Sequence, residues 1–465
     1  MKTLRDPQQL LSDGLTAIRA QFQVSAVFPP SVMAAAEAAA ARVPSEHVDR
    51  TDRPFVTLDP ATSTDLDQAF AIETAGSSGG ADLLLHYAIA DVAWFVADGD
   101  TIDTEAWARG TTSYLPDGKA SLYPALLSEK AASLLPDGPR PSVVFTIRVA
   151  PDGTVKLDHA ERALIQSRAK LAYDTVRADQ LPAQFAELAA RIAAAEERRG
   201  AARVDPPEQE VERGSDGKFA LTLRPQLASE RSNAAMSLAC NLAIADALLA
   251  AKTGLFRVMA PPDNRAIARL RHTARAFGLD WGDAMPLEQF EKQLDPTEPR
   301  AAAFMLAIRR AGNGASYEPY RQGVIPWHAA MAATYAHGTA PLRRLADRYV
   351  VRAALAVANG QPVPLAVAEA FARLPQVMTK ADARDNQIAR AVIDLAEAAI
   401  LAGRESETFD AVVTDIGENG ARIQLCDLPV VARTTAHNVQ PGAKIRVRLL
   451  SADTEKRAVQ FERLS

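Results

Sequence analysis

Cysteine is almost absent from this chain. Only Cys240 and Cys426 occur among 465 residues, and they lie in unlike sequence contexts. Two such cysteines exclude a disulfide framework and a zinc site built from cysteine ligands. A chain of this length is expected to form two to four domains with a large packed core.

Long hydrophobic runs are also missing. No run of about 18 apolar residues occurs, and the first residues, MKTLRDPQQLLSDGL, contain no apolar stretch of signal-peptide length. No heptad pattern or apolar dimer face is evident either. We therefore expect a cytoplasmic, monomeric protein with no membrane partner.

An excess of positive charge is absent as well. The 52 Lys and Arg residues stand against 57 Asp and Glu residues, which gives a formal net charge of −5. This balance argues against a protein that coats DNA by bulk charge, although it leaves room for a local basic channel. Hydrophobic residues at 48% and charged residues at 23% exclude a mostly disordered chain.

Hydrophobic patterns divide the chain into three segments. Residues 1–52 predict a short helical module, with one helix over about Pro7–Gln23 and a second capped by Ser31. Residues 53–402 combine β-rich runs with long helical patterns, and residues 403–465 contain about five short strands typical of an OB-fold barrel. The predicted fold class is multidomain α+β: a helical module, a mixed α/β domain and a C-terminal β-barrel. Both a recognition module and a cap on the next domain fit the first segment.

A cluster of carboxylates lies in the stretch TLDPATSTDLDQAF. Asp59 ends a short β-rich run, and a strand that begins near Leu66 would place Asp65 and Asp67 on the same side. Converging carboxylates repel one another unless a cation compensates them. Mg²⁺ prefers oxygen ligands and completes its shell with water and phosphate, so the cluster suits phosphodiester hydrolysis.

Two other interpretations of this cluster compete with a magnesium site. An EF-hand loop needs Gly at its sixth position and Glu at its twelfth, where this chain has Thr64 and Phe70, so a calcium loop is excluded. A solvated cluster of turn-capping aspartates remains open from spacing alone.

A second constellation lies in TYAHGTAPLRRLADRYVVRAAL. Thr339 and Pro341 predict a helix start, which would put Arg343 in the first turn, where a cation is favoured only beside an anion. Three more arginines add positive charge along the same helix: Arg344, Arg348 and Arg352. Phosphate binding and a solvated basic face paired with acids such as Asp347 both fit this pattern.

Taken together, several ordered stretches resemble the RNase II / RNase R (RNB) family of 3′→5′ exoribonucleases. They are DPATSTDLDQA, HYAIADVAWFV, TTSYLPDGKASLYPALLSEKAASL, SRAKLAYD and YAHGTAPLRRLAD. The resemblance spans roughly residues 53–400 and is closest to bacterial RNase II. It implies an RNB catalytic domain over 53–402 and an RNA-binding OB-fold over 403–465.

The resemblance also implies roles for individual residues. The metal ligands would be Asp59, Asp65, Asp67 and Gln68. Asp67 would position the attacking water, Arg343 would contact phosphate, and Tyr173 would stack on a base near the RNA 3′ end. The implied RNA contacts are Tyr173, Tyr335, His337, Arg343, Arg344, Arg422, Arg446 and Arg448.

The implied activity is processive hydrolysis of single-stranded RNA to 5′-nucleoside monophosphates. Mg²⁺ would be the cofactor, with Mn²⁺ as a substitute. Sensing of the 2′-hydroxyl would exclude DNA as a substrate, and RNA with a 3′ overhang is a further expected substrate.

The chain departs from the family pattern in four places. One is Pro262, which lies near the position of the aromatic residue expected to sandwich the terminal base. The fourth aspartate is Gln68, the serine of Thr-Ser-Pro is Ala340, and residues 1–52 are too few for the usual cold-shock domains. Gln68 motivates an alternative, a catalytically weakened RNB protein that binds RNA. A DNA-binding regulator that uses the N-terminal helices is a second alternative, but no basic recognition helix supports it.

Overall fold

The computed structural model describes most of the chain. The described residues are 7–76, 81–201, 208–213, 219–224, 226–295, 298–312, 314–417, 420–435, 439–440 and 442–464. Their helices are α1 (Pro7–Gln21), α2 (Pro30–Ala40), α3 (Val92–Phe95), α4 (Thr101–Arg109), α5 (Phe185–Arg198), α6 (Ala228–Ala250), α7 (Asn264–Ala276), α8 (Leu287–Glu291), α9 (Pro299–Ala311), α10 (Leu345–Ala358) and α11 (Leu365–Leu401).

The strands alternate with these helices along the chain. The first strands are β1 (Val48–Asp49), β2 (Phe55–Asp59), β3 (Gln68–Ala75), β4 (Asp82–Ala90), β5 (Ser113–Leu115), β6 (Gly118–Ala120), β7 (Arg140–Val149), β8 (Val155–Ile165) and β9 (Ser167–Ala172). Short pairs follow as β10 (Glu208–Arg213), β11 (Phe219–Arg224), β12 (Leu255–Val258), β13 (Ser316–Pro319), β14 (Trp327–His328) and β15 (Ala333–Thr334). The last strands are β16 (Thr408–Gly417), β17 (Gly420–Leu425), β18 (Val431–Thr434), β19 (Lys444–Asp453) and β20 (Ala458–Arg463).

A seven-stranded sheet forms the centre of the molecule. Its order is β1-β8-β7-β4-β3-β2-β9, antiparallel except where β1 pairs with β8 and β2 with β9. β4 is buried along nearly its whole length, which explains why its sequence is a continuous apolar run rather than an alternating one. The apolar runs FVTLD, QAFAIE, LLLHYAIA and SVVFTIRV form β2, β3, β4 and β7, so the predicted β-rich character of this part of the chain is confirmed.

The C-terminal strands close into a barrel of order β16-β17-β18-β20-β19. β17 and β19 alternate between inward and outward residues, so a period of two builds the barrel core. Phe409 and Phe461 meet edge to face inside it, with their ring centroids 6.0 Å apart. The predicted five-stranded barrel is confirmed.

The N-terminal helices share cores with the rest of the chain. Leu11, Leu15 and Ile18 of α1 pack on α11, and at Gly14 an added Cβ would lie 2.5 Å from Leu395. The sequence predicts an N-cap at Ser31, but α2 begins at Pro30 and has no side-chain cap, because a proline suits the first helical position. The domain bounds 1–52, 53–402 and 403–465 stay a prediction.

One element of the core has the composition of a membrane span. Within the described ranges, α6 is the single helix long and apolar enough to cross a membrane, and 67% of its most apolar window is buried inside the protein. Such burial is also typical of a central core helix.

Candidate active site

The carboxylates lie where β2 ends and in the loop that leads to β3. Asp59 is the last residue of β2, whereas β3 begins only at Gln68. The expectation that Asp65 and Asp67 belong to one strand is therefore wrong. Backbone contacts fix the loop instead: the Leu66 N–H donates to Ser133 Oγ at 2.9 Å, and the Leu134 N–H donates to Leu66 O at 3.0 Å.

Asp67 is buried and points at the segment before α10. The Leu342 N–H donates to its Oδ1 at 2.7 Å, and Arg343 Nε donates to its Oδ2 at 3.2 Å. Burial raises the pKa of Asp67 to about 7, and the Arg343 guanidinium and the Leu342 N–H only partly oppose this shift. Asp67 is thus a carboxyl that needs further positive charge to ionise fully at neutral pH.

Asp59 carries an unsatisfied oxygen. Its Oδ2 is buried and has no hydrogen-bond partner. Burial raises the pKa of Asp59 to about 6, against the effect of Arg343 and with an addition from Asp65. Buried oxygens without a partner are rare in folded proteins, and a bound ion is one way in which such an oxygen becomes satisfied.

Asp65 is held by two residues of the hairpin formed by β5 and β6. Lys119 Nζ lies 2.7 Å from Asp65 Oδ1 and 3.2 Å from Glu129 Oε1. The Tyr114 hydroxyl donates to Asp65 Oδ2 at 3.0 Å. Both oxygens of this carboxylate are therefore engaged by the protein itself.

The three carboxylates do not form a ready-made metal centre. Across the part of the chain that the structure describes, no group of three or more His, Cys, Asp and Glu side chains is arranged to hold a metal ion. The assignment of Asp59, Asp65 and Asp67 as metal ligands therefore stays a prediction, and in this structure Asp65 is paired with Lys119 and Asp67 with Arg343. The orphan oxygen of Asp59 and the raised pKa values of Asp59 and Asp67 nevertheless fit a divalent cation, which would compensate both carboxyls.

Gln68, the fourth predicted ligand, is engaged elsewhere. The hydroxyl of the buried Tyr87 donates to Gln68 Oε1 at 2.6 Å. A carbonyl oxygen can accept a second partner, so this bond leaves one lone pair available.

The helix after the carboxylate contacts starts later than predicted. α10 begins at Leu345, so Arg343 precedes it rather than lying in its first turn. Thr339 does not cap the helix, because its hydroxyl lies 2.9 Å from Ser237 Oγ. The first turn of α10 contains the acidic residue Asp347 rather than Arg343. The Asp347 carboxylate accepts a hydrogen bond from the Ala340 N–H at 2.8 Å.

Most arginines of this segment are balanced by carboxylates. Arg344 donates to Asp347 at 2.9 and 2.7 Å, the buried Arg348 pairs with Asp103, and Arg352 pairs with Asp98. The interpretation of Arg348 and Arg352 as additional phosphate contacts is therefore corrected. Arg343 differs from them, because 43% of its side chain is exposed while its Nε contacts Asp67.

Of the three predicted aromatic and imidazole residues, Tyr173 contacts the backbone of Asp59, whereas Tyr335 and His337 contact each other. The Tyr173 N–H donates to Asp59 O at 3.2 Å, and its hydroxyl accepts from Asn233 Nδ2 at 2.9 Å. Tyr335 and His337 meet edge to face with centroids 5.3 Å apart, and His337 Nδ1 lies 3.0 Å from Tyr317 Oη. Burial and nearby arginines lower the pKa of His337, so its ring is neutral at pH 7.

The barrel arginines lie outside the barrel core. Arg422 is on β17, and Arg446 and Arg448 are on the outward side of β19. Arg446 Nε lies 3.8 Å from Asp410 Oδ1, and Arg448 forms an ion pair with Glu462. Their role as RNA contacts stays a prediction.

Two known domain families match this chain. The RNB domain matches residues 47–359, and the RNase II-type exonuclease C-terminal S1 domain matches residues 407–464. The chain belongs to the RNB family. The first match ends one residue beyond α10, and the second covers the barrel of this RNB protein.

Curated relatives of the RNB protein are ribonucleases. Ribonuclease R of Aquifex aeolicus (strain VF5) is 26% identical over 496 residues, which cover 95% of the chain and 69% of the relative. Exoribonuclease 2 of Cronobacter sakazakii (strain ATCC BAA-894) is 29% identical over 413 residues, which cover 83% and 62%. The chain thus spans only 62% to 69% of these two relatives. The predicted resemblance is confirmed, and the relatives support an exoribonuclease-type hydrolase.

Solved structures share the fold of the RNB protein at low identity. RNase R of Mycoplasma genitalium, in complex with ribose methylated single-stranded RNA, has a TM-score of 0.86 at 19% identity and covers 98% of this chain and 78% of its own. Yeast Ssd1, described as a pseudonuclease, has a TM-score of 0.67 at 16% identity and covers 86% and 52%. A protein named RNase R and a protein described as a pseudonuclease both have this fold, so the chemistry must be argued from the residues.

The residues that contact and position the predicted site residues of the RNB domain were not found from the sequence. Tyr114 and Lys119 lie in the family-like stretch TTSYLPDGKASLY, but nothing local indicates that they contact Asp65. Polar residues at every fourth position in the otherwise apolar middle of α6 were a usable signal. They are Asn233, which binds Tyr173, Ser237, which meets Thr339, and Asn241, whose Oδ1 accepts the Gly338 N–H at 2.9 Å.

Proposed function

We propose that this RNB protein is a processive 3′→5′ exoribonuclease that hydrolyses single-stranded RNA to 5′-nucleoside monophosphates with Mg²⁺. One observation carries the proposal: a buried carboxyl, Asp67, contacts an arginine that remains open to solvent, Arg343, beside the orphan oxygen of Asp59. Buried acids bind a cation, and an exposed guanidinium binds phosphate, so together they suit a phosphodiester.

Asp59, Asp65 and Asp67 would hold Mg²⁺, for which Mn²⁺ is expected to substitute. When bound, such an ion activates water and stabilises the leaving oxygen. The protein's own residues supply the rest. Arg343 donates to the scissile or an adjacent phosphate, and Tyr173 stacks on a base near the 3′ end, which is worth about 1–3 kcal/mol.

The substrate we propose is single-stranded RNA, including RNA with a 3′ overhang, and not DNA. The relatives' names support RNA, and one structural neighbour is RNase R of Mycoplasma genitalium in complex with double-stranded RNA. Discrimination against DNA would come from contacts to the 2′-hydroxyl. We further propose a monomer in the cytoplasm, consistent with two free cysteines.

A second candidate function is RNA binding without efficient hydrolysis. Gln68 favours it, because an amide in place of a carboxylate removes one negative charge from the cation site, and its oxygen is already bound by Tyr87. The fold does not decide between these functions, since yeast Ssd1 is a pseudonuclease of similar fold.

Digestion of 5′-labelled single-stranded RNA tests the proposal. With Mg²⁺, we expect progressive shortening from the 3′ end and release of 5′-monophosphates, while an all-DNA strand of the same sequence stays intact. Asp67→Asn should abolish shortening and leave RNA binding within about threefold. If the natural protein binds RNA but never shortens it with Mg²⁺ or Mn²⁺, the binding function replaces the nuclease.

A further inference from the structure

We propose that the N-terminal helix α1 positions the candidate active site, through a clamp between Arg19 and the turn of the β5–β6 hairpin that places Lys119 and Tyr114 on Asp65. The inference rests on the proposed function for its catalytic consequence. In this clamp Arg19 and Asp117 are positioning residues, and Tyr114 and Lys119 contact Asp65, a candidate metal ligand.

The hairpin register explains why two of its side chains reach the same carboxylate. Tyr114 and Lys119 are directly opposite one another across the two strands. Cross-strand partners project to the same face, and here both contact Asp65, at 3.0 and 2.7 Å. A small shift of this hairpin would therefore displace both contacts together.

The opposite face of the hairpin is buried on two helices. Leu115, next to Tyr114 on β5, is 8% exposed and packs in the apolar cluster of Leu11, Leu15 and Ile18 from α1 with residues of α11. The base of the hairpin is tied to α11, because Thr111 and Ser113 each donate a hydroxyl hydrogen bond of 2.6 Å to Asp385.

Arg19 fixes the remaining free end, which is the turn. Its Nε donates to Asp117 Oδ2 at 3.0 Å, its Nη2 donates to Asp117 Oδ1 at 2.8 Å, and Nη2 also reaches Gly118 O at 3.0 Å. A bidentate fork of this kind fixes direction as well as distance. The turn has only two residues between β5 and β6, so its position is transmitted directly to Lys119.

Lys119 needs such support because a lysine is flexible and strongly hydrated. Its ammonium lies between Asp65 and Glu129 with 20% of its side chain exposed, and the Asp65 side chain is 9% exposed. In addition to Arg343 on Asp67, Lys119 is therefore a second fixed cation at the carboxylates that would hold the metal. Positioning errors near 1 Å cost about 100-fold in rate when they reach the reacting groups.

The clamp can be separated from the anchoring of α1. The apolar contacts of Leu11, Leu15 and Ile18 hold the helix on α11 without Arg19. Arg19→Ala should thus keep α1 in place and release only the turn. A matched control is Arg50→Ala, because Arg50 also lies in the N-terminal segment and forms a bidentate pair with Glu161, at 2.8 and 3.1 Å, in a different part of the sheet.

The test compares Arg19→Ala, Asp117→Ala, the charge swap Arg19→Asp with Asp117→Arg, and Arg50→Ala in the full chain. We expect both single clamp variants to lower kcat about tenfold or more, with KM for RNA within twofold. Arg50→Ala should retain kcat within twofold, and the swap should recover most of it. Unchanged kcat in Arg19→Ala, or a loss that the swap does not recover, would overturn the proposal.

A second readout does not depend on nuclease activity. Trypsin cleavage after Lys119, followed by mass spectrometry on RNA-free protein, should accelerate at least fivefold in Arg19→Ala and stay unchanged in Arg50→Ala. If the natural protein is inactive, the proposed function fails, while this cleavage still decides the clamp. Equal cleavage in all proteins means that Arg19 does not hold the hairpin.

Discussion

Arg343 and Asp67 join the exposed and the buried parts of the candidate site, although they are 276 positions apart in sequence. Arg343 Nε donates to Asp67 Oδ2 at 3.2 Å, while 43% of the arginine side chain and only 7% of the aspartate side chain is exposed. A guanidinium has five N–H groups, so the one that contacts Asp67 leaves others for a phosphate. The same arginine therefore orients a carboxyl and keeps N–H groups open to solvent, where the proposed RNA substrate would bind.

Arg343→Ala should lower kcat by about 100- to 1000-fold, which is the usual cost of removing one charged donor from a reacting centre. Because Arg343 lowers the pKa of Asp67 against the effect of burial, the acidic limb of the pH–rate profile should also move to higher pH. Arg343→Lys keeps the charge but not the fork, and should be intermediate in rate.

Steady-state kinetics between pH 5.5 and 9 measure both effects. Arg148→Ala is the control, since Arg148 pairs with Asp82 and Asp158 on the central sheet. A rate loss without any movement of the acidic limb would mean that Arg343 contacts the substrate without influencing Asp67.

Asp59 gives the metal-free protein a stability that depends on pH. Its folded pKa of about 6 lies above the ordinary value of 3.8, so the folded state prefers the protonated carboxyl. Its contribution to the free energy of unfolding is complete below about pH 4 and is lost as pH rises through 6. Relative to Asp59→Asn, the natural protein should lose on the order of 1 kcal/mol of unfolding free energy between pH 5 and pH 8.

Urea unfolding of both proteins, with and without Mg²⁺, measures this difference. At pH 8, Mg²⁺ should stabilise the natural protein and not Asp59→Asn, because a cation that binds only the folded, ionised site shifts the equilibrium by mass action. Equal stabilisation of both proteins would remove Asp59 from the proposed ligand set.

The carboxylates were predictable because their pattern is local. Asp59, Asp65 and Asp67 lie in one short stretch, and the β2 strand that ends at Asp59 has a clear apolar pattern. The partner of Asp65 was not predictable in this way. Lys119 is 54 positions away, and only the register of a hairpin docked on α1 and α11 brings it within 2.7 Å.

In α10 the sequence suggests free positive charge that the fold neutralises. From sequence, Arg348 and Arg352 form a basic face, because their partners, Asp103 and Asp98, lie 245 and 254 positions earlier. Likewise, Thr339 has the residue type and sequence position of a helix cap, but its hydroxyl forms a hydrogen bond with the hydroxyl of Ser237 on α6 instead. Local signals predict which groups are available, whereas tertiary packing decides which partner each group takes.

Arg348 and Arg352 should differ strongly in their effect on stability. Arg348 is 1% exposed beside Asp103, and the side chains of Arg352 and Asp98 are 19% and 35% exposed. Arg348→Met strands a buried carboxylate and should lower the free energy of unfolding by about 3–5 kcal/mol. Arg352→Met breaks an exposed pair and should cost less than about 1 kcal/mol.

Chemical unfolding of the two methionine variants makes this comparison at equal side-chain size. Adding Asp103→Asn to Arg348→Met removes the stranded charge and should recover part of the loss. No recovery would show that packing of the arginine, rather than its charge, stabilises this part of the core.

Gln68 is the residue that favours weakened hydrolysis over an efficient nuclease. Replacing it with a carboxylate tests which of these two functions the protein has. Gln68→Asp adds one negative charge directly after Asp67 and should raise the affinity for Mn²⁺ about tenfold, the order of one added charge near a partly buried cation. Gln68→Asn is the matched control, because an asparagine side chain has the same length as aspartate without its charge, and it likewise loses the 2.6 Å contact with Tyr87.

Calorimetric titration of RNA-free protein with Mn²⁺ and the Mg²⁺ dependence of RNA digestion measure both variants. If Gln68→Asp binds the ion more tightly and also digests RNA faster, the missing charge limits the natural protein. If both variants match the natural protein in both measurements, position 68 contributes no ligand, and Asp59, Asp65 and Asp67 must hold the ion without it.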